Sequence, residues 1–185
     1  MDTPLIETKY DFFSPEEYIN VVKYCKNCPY YWGERDDYNT PFTGMVNNIY
    51  QRHDIMDDKI TEITESVSDY SVYSIIVDNI ERDYGEYVKD LTLARVVVNS
   101  FAPLENPYYH TDFDTDGAVT ILVYMNENAD LNFGGETQFL MPNNRIIGVL
   151  PVPNSSCCFD STIQHKATAF KDQFRFTIAA KYTPL

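Results

Sequence analysis

From about residue 91 to residue 182 the chain is a succession of short apolar or alternating segments, cut by turn residues, with no helical period between them. The spacing predicts strands at 91–101, 107–113, 118–125, 136–141, 145–150, 156–160, 165–170 and 174–182. About eight strands in direct succession leave no room for βαβ crossovers, so a sandwich or jelly roll is the architecture to expect. Asn143-Asn144 reads as a tight hairpin turn, and Asn126 to Gly135 as a longer loop.

The first 90 residues read differently. Ser14-Pro15-Glu16-Glu17 is a capping box with Pro at the first helical position, and Tyr18, Val21, Val22 and Cys25 recur at helical spacing up to Pro29. From Tyr30 to Asn48 aromatic residues mix with Gly33, Pro41 and Gly44, the composition of a lid or of a loop pinned by its rings. Asp54 to Tyr84 reads mostly as helix, with Ile60, Ile63 and Val67 in register, then Tyr73, Ile76, Val77 and Ile80. A break is expected near Ser68 to Ser71 and a stop at Gly85. The expected organisation is one domain over 1–185, with a helical buttress at about 1–90 and a β core at about 91–183.

Composition narrows the function classes. A net charge of −14 disfavours nucleic acid as a partner, since polyphosphate binding needs clustered Lys and Arg. No apolar run approaches the roughly 20 residues of a membrane span. The segment Met1 to Phe13 carries acids rather than the apolar core of a signal peptide, so a cytoplasmic location is expected. Cys25, Cys28, Cys157 and Cys158 are expected to be reduced thiols. Adjacent strand residues point to opposite faces, so Cys157 and Cys158 are poor partners for a zinc site with Cys25-x-x-Cys28.

Chemistry enters at Tyr109-His110-Thr111-Asp112. On a strand, residues at i and i+2 share a face, so His110 and Asp112 can converge on one metal ion. Of the two other histidines, His165 is the better third ligand, because His53 lies upstream of the strand region. Two imidazoles and one carboxylate on one face of an octahedral ion, with open positions opposite, form the facial triad of non-haem Fe(II) oxygenases. Downstream of Asp112 stand Thr120-Ile121-Leu122-Val123-Tyr124-Met125-Asn126, Gly134-Gly135-Glu136-Thr137-Gln138-Phe139, His165, and Arg175-Phe176-Thr177.

This order and spacing resembles the 2-oxoglutarate/Fe(II)-dependent oxygenases, in particular the prolyl 4-hydroxylase-like branch, over about residues 95 to 183. The resemblance implies a mainly β fold with flanking α-helices, a double-stranded β-helix (jelly roll, cupin-like). It implies His110, Asp112 and His165 as metal ligands and catalytic centre. Fe(II), 2-oxoglutarate and dioxygen would be the cofactors, with ascorbate a candidate reductant. The implied reaction couples oxidative decarboxylation of 2-oxoglutarate, to succinate and CO2, with hydroxylation of a C–H bond. Retention of Asp112 favours hydroxylation over halogenation, since related halogenases lack that carboxylate.

The distal carboxylate of the cosubstrate needs a cation, and the planar fork of Arg175 suits it. Arg175, Thr177 and Ala179 share a strand face that is too polar and small for ordinary core. Tyr124 resembles the family tyrosine that hydrogen-bonds the same carboxylate, and Thr137 stands where the cosubstrate is usually touched. Asn99 is a further candidate cosubstrate residue; with Phe101, His110 and Asp112 it follows the N-x-Y…H-x-D spacing of oxidative demethylases of alkylated nucleic acid, and Phe101 stands where the family usually carries Tyr, nine residues before the first metal His.

A prolyl residue in a peptide or protein is the favoured substrate class, with a small molecule also open. Two further readings stand beside it. One is an oxidative demethylase of alkylated nucleic acid, disfavoured by the G-G-E-T motif and the acidic charge. The other is a non-catalytic cupin-like binding module, disfavoured by the intact ligands and Arg175.

Overall fold

The capping box does what the sequence requires of it. In the computed structural model, helix α1 (Pro15–Asn27) begins at Ser14, whose side chain accepts from Glu17 N while Glu17 accepts from Ser14 N. It follows strand β1 (Ile6–Lys9) and precedes β2 (Tyr31–Trp32), β3 (Met45–Asp57), β4 (Ile60–Val67) and helix α2 (Tyr70–Val88). Then come β5 (Thr92–Phe101), β6 (Val119–Tyr124), β7 (Thr137–Met141), β8 (Arg145–Val149), β9 (Ser156–Asp160), β10 (His165–Ala167) and β11 (Arg175–Thr183). The structure describes residues 5–32, 35, 39–57 and 60–184, with backbone alone at 53–57, 60–64 and 131.

The strands form two antiparallel sheets. The larger has the order β1-β9-β6-β11-β5-β3-β2, with β4 paired to β3, and the smaller has β10-β7-β8. Val97, Leu122, Cys157, Phe159 and Ala179 of the larger sheet meet Phe139 of the smaller in one buried cluster. Phe139 is fully buried and packs edge-on to Phe159, a burial worth about 1.5–3 kcal/mol. The opposite face of the larger sheet, with Ile121, Val123, Cys158 and Ile178, packs on Val21, Val22 and Cys25 of α1 and Ile76 and Ile80 of α2. The helices therefore buttress the outer face, and the space between the sheets is left for a site. This is the expected jelly roll. All four cysteines are buried and free, and Cys157 and Cys158 do face opposite clusters. Among the described residues no helix is long and apolar enough to cross a membrane.

Three expectations need correction. Residues 54–57 and 60–67 are not helix: β3 and β4 form an antiparallel pair from Tyr50↔Val67 to Asp57↔Ile60, so helix begins only at Tyr70, and residues 58 and 59 lie outside the described residues. An Ile/Val spacing of three or four fits a helix, but the β-branched density of Ile60, Thr61, Ile63, Thr64 and Val67 suits a strand, and tertiary pairing decides. Gly85 does not stop α2, which runs on to Val88, because Gly85 has no positive φ to satisfy. Residues 107–113 are not a strand, for only His110 makes an isolated bridge. β1 carries no periodic signal of its own, and β2 and the first part of β3 lie in the stretch expected to be irregular. Asn143 and Asn144, at φ 66° and 57°, make the predicted turn between β7 and β8.

Candidate metal centre and cavity

His110 and His165 are brought together by backbone. Each donates its N–H to the other's carbonyl, at 3.0 and 2.9 Å, and Asp112 N donates to Ser161 O at 3.0 Å. The 107–113 segment is thus pinned to β10 and to the turn after β9 without being a strand, and His110 and Asp112 still converge. His110, Asp112 and His165 place one ligand atom each within 4.8 Å of one another, the one such group among the described residues. His110 Nε2 is 3.7 Å from Asp112 Oδ1 and His165 Nε2 is 3.6 Å from Oδ2.

The protonation pattern suits metal ligation. His110 Nδ1 lies 3.2 Å from Tyr108 O and His165 Nδ1 lies 2.9 Å from Ile163 O. A carbonyl can only accept, so each Nδ1 carries a proton, which leaves each Nε2 as the ring nitrogen turned towards Asp112. Burial pushes His165 down to about 4, against the pull of Asp112, which keeps the imidazole neutral. Burial alone would raise the Asp112 carboxyl, but Lys181, His165 and His110 outweigh it and hold it below the usual carboxylate range. Asp112 is therefore an anion in a side chain only 3% exposed. Its other partners are Lys181 Nζ, 2.6 Å from Oδ1, and Thr120 Oγ1, which donates to Oδ2 at 2.7 Å.

The cavity has a volume of about 290 Å³ and runs from this cluster to Arg175. Asn99, Phe101, Thr137, Thr177 and Ala179 line it, as does Lys181. Arg175, 2% exposed, donates through Nε to Gly135 O at 2.8 Å, through Nη2 to Thr137 Oγ1 at 2.9 Å, and through Nη1 to Thr177 Oγ1 at 3.4 Å. Burial pulls its guanidinium down to about 10, which still leaves it charged near neutrality. Among the described residues no carboxylate lies within ion-pair distance of it. Its hydrogen-bond acceptors are all neutral and the Glu136 carboxylate acts on it only from beyond that distance, so the buried guanidinium is incompletely compensated and an anion in the adjoining cavity would complete it.

The expected cosubstrate residues gather at this end, with one difference. Tyr124, 1% exposed, does not line the cavity, and its hydroxyl donates to Thr137 Oγ1 at 2.8 Å. Thr137 accepts from both Tyr124 and Arg175, so its own proton is the one available to an acceptor in the cavity. Phe101 sits opposite Arg175 in the β5–β11 register, its ring 5.9 Å from the guanidinium carbon. Gly135, at φ 88°, lies so close to Phe170 that a Cβ would meet the ring at 2.4 Å, so the G-G pair serves this turn. No sequence motif points to Lys181, Thr120 or Ser161. Lys181 was legible in principle, since it continues the alternation of Arg175, Thr177 and Ala179 on one strand face.

No protein-family profile and no curated protein matches this sequence. Solved structures do. A prolyl-4-hydroxylase from Pseudomonas putida is similar with a TM-score of 0.65 at 13% identity, over 99% of this chain and 94% of that one. An oxidoreductase of the 2OG-Fe(II) oxygenase family from Burkholderia pseudomallei gives 0.71 at 12% identity, over 96% and 85%. A prolyl hydroxylase from Trichoplax adhaerens, in complex with a hypoxia inducible factor oxygen degradation domain peptide fragment, gives 0.68 at 15%, over 97% and 84%. The chain shares the fold of these oxygenases.

Proposed function

We propose that this protein is a single-domain Fe(II)- and 2-oxoglutarate-dependent dioxygenase that hydroxylates a C–H bond, with a prolyl residue in a peptide or protein as the substrate class. The observation that carries the reading is a buried, anion-seeking Arg175 at one end of a cavity whose other end is a His-Asp-His cluster. The donor set fits a divalent first-row metal: two imidazoles whose Nε2 atoms converge with one ionised carboxylate. His110, Asp112 and His165 would hold the iron, which when bound with 2-oxoglutarate and dioxygen supplies the C–H oxidation and releases succinate and CO2.

The chain's own residues account for binding and orientation. Tyr108 O and Ile163 O fix the two imidazoles as Nε2 ligands. Arg175 offers its fork to the distal carboxylate of 2-oxoglutarate, with the Thr137 hydroxyl as a second donor and Thr177 and Asn99 as further wall. Tyr124 keeps the Thr137 oxygen engaged, which turns the Thr137 proton towards the cavity. Phe101 contributes ring surface where a tyrosine would contribute a hydroxyl. A peptide substrate is supported by the Trichoplax neighbour, which holds a peptide fragment.

The test is turnover with Fe(II), 2-oxoglutarate and ascorbate. Proline-containing peptides should raise succinate release above the uncoupled background and gain the mass of one oxygen atom. Methylated single-stranded oligonucleotides should yield no formaldehyde. Formaldehyde with oligonucleotides and no peptide product would replace this substrate class with nucleic-acid demethylation.

A further inference from the structure

We infer, on the basis of the metal centre proposed above, that Lys181 is the built-in counter-ion of Asp112 and that a divalent metal at the triad binds against its charge. Lys181 Nζ lies 2.6 Å from Asp112 Oδ1, and the two side chains are 19% and 3% exposed. The strand register builds this contact. Lys181 is the fourth residue of the inward alternation on β11 that begins at Arg175, and it pairs directly with Thr120 of β6. Thr120 is the other side chain bonded to Asp112, so neighbouring positions on two strands grip the two oxygens of one carboxylate.

The two grips are not equivalent. Thr120 Oγ1 is also 2.8 Å from Ser161 Oγ, so its single proton has a second acceptor to turn to. An ammonium group brings its charge to Oδ1 whichever proton it uses. Oδ2 is therefore the oxygen whose hydrogen bond can be given up, while Oδ1 keeps the charge of Lys181. Lys181 acts through Asp112 and is a positioning and charge-balancing residue.

The sign of its effect follows from two contributions that agree. Without metal, Lys181 compensates a nearly buried anion, and removing it would leave that charge uncompensated and the fold weaker. With metal, an ammonium and a divalent ion share one carboxylate in a site of reduced dielectric, and they repel. Both contributions make metal binding weaker in the presence of Lys181 than in its absence. A residue that only oriented the ligand would have the opposite effect, since its loss would loosen the metal.

The experiment compares wild type with Lys181→Met, Lys181→Gln and Lys181→Arg. It reads Mn(II) affinity by calorimetry, and thermal midpoints in chelator and in Mn(II). Lys181→Met and Lys181→Gln should both melt lower in chelator, bind Mn(II) about tenfold tighter or more, and gain more from the metal than wild type does. Lys181→Arg, which keeps the charge, should stay near wild type. Unchanged or weaker Mn(II) binding in Lys181→Met overturns the inference. So does a Lys181→Gln protein that matches wild type, which would make the hydrogen bond and not the charge responsible. If Lys181→Met fails to fold, Lys181→Gln, which retains a donor, decides between the same two outcomes. Failure of wild type to bind Mn(II), or undiminished binding by Asp112→Ala, would instead overturn the metal centre itself, while the chelator midpoints still test the pairing.

Discussion

The two ends of the cavity bury opposite charges and treat them in opposite ways. At one end Asp112 is an anion already surrounded by Lys181, Thr120 and two imidazoles. At the other, Arg175 is a cation satisfied by a carbonyl and two hydroxyls, with no carboxylate in ion-pair contact among the described residues. A folded chain tolerates a buried charge when dipoles or counter-charges replace water. Asp112 has both. Arg175 has dipoles in contact and the Glu136 carboxylate only at longer range, so its end is incomplete until an anion arrives. The first end should therefore govern metal and, through it, everything bound beside the metal, whereas the second should govern the organic acid alone.

The comparison breaks most readily at Asp112. Asp112→Ala should weaken Mn(II) binding about a thousandfold, roughly 4 kcal/mol, as read by calorimetric titration of folded protein. A smaller loss is expected at the other end. Arg175→Ala should weaken 2-oxoglutarate by roughly a hundredfold, about 2.7 kcal/mol, within the range for truncating one partner of a buried charge pair. Its Mn(II) affinity should match wild type, and a parallel loss of metal would show that the two ends are not separable.

Tyr124→Phe sharpens the contrast further. A tyrosine bonded directly to a carboxylate would be worth about 1.5–3 kcal/mol, whereas one that acts through the Thr137 hydroxyl should be worth about 1 kcal/mol, roughly fivefold in 2-oxoglutarate affinity. The smallest effect lies away from both ends. A Cβ at Gly85 would meet nothing within 4 Å, so Gly85→Ala should raise stability by about 0.5–1 kcal/mol in a denaturant titration and leave both affinities unchanged.

The candidate site stood out in the sequence more clearly than the scaffold that precedes it, and the reason is chemical. Metal and carboxylate recognition restricts residue type as well as spacing, so His110, Asp112, His165 and Arg175 stand out from any background of alternating apolar residues. The strand run from Thr92 onward was also readable, because turns such as Asn143-Asn144 need residues that accept positive φ. Residues 54–67 carried no such restriction. Their apolar spacing suits a helix as well as a strand, and only pairing with β3 distinguishes the two. Lys181 escaped because a lysine in a strand reads as solvent-facing. It is the anion 2.6 Å away, set by a register across β6 and β11, that gives it a place inside. Tyr124 stands out by position, but its hydrogen bond to Thr137 depends on the packing of two sheets and is invisible in sequence.

The most direct test of the two-ended cavity is calorimetric titration of 2-oxoglutarate into wild type and Arg175→Ala, each with Mn(II) and with chelator. Measurable binding is expected in Mn(II)-loaded wild type, with loss of most affinity when either the metal or the Arg175 guanidinium is removed. Equal 2-oxoglutarate affinity in wild type and Arg175→Ala, or equal affinity with and without metal, would contradict a cavity with two separate charged ends.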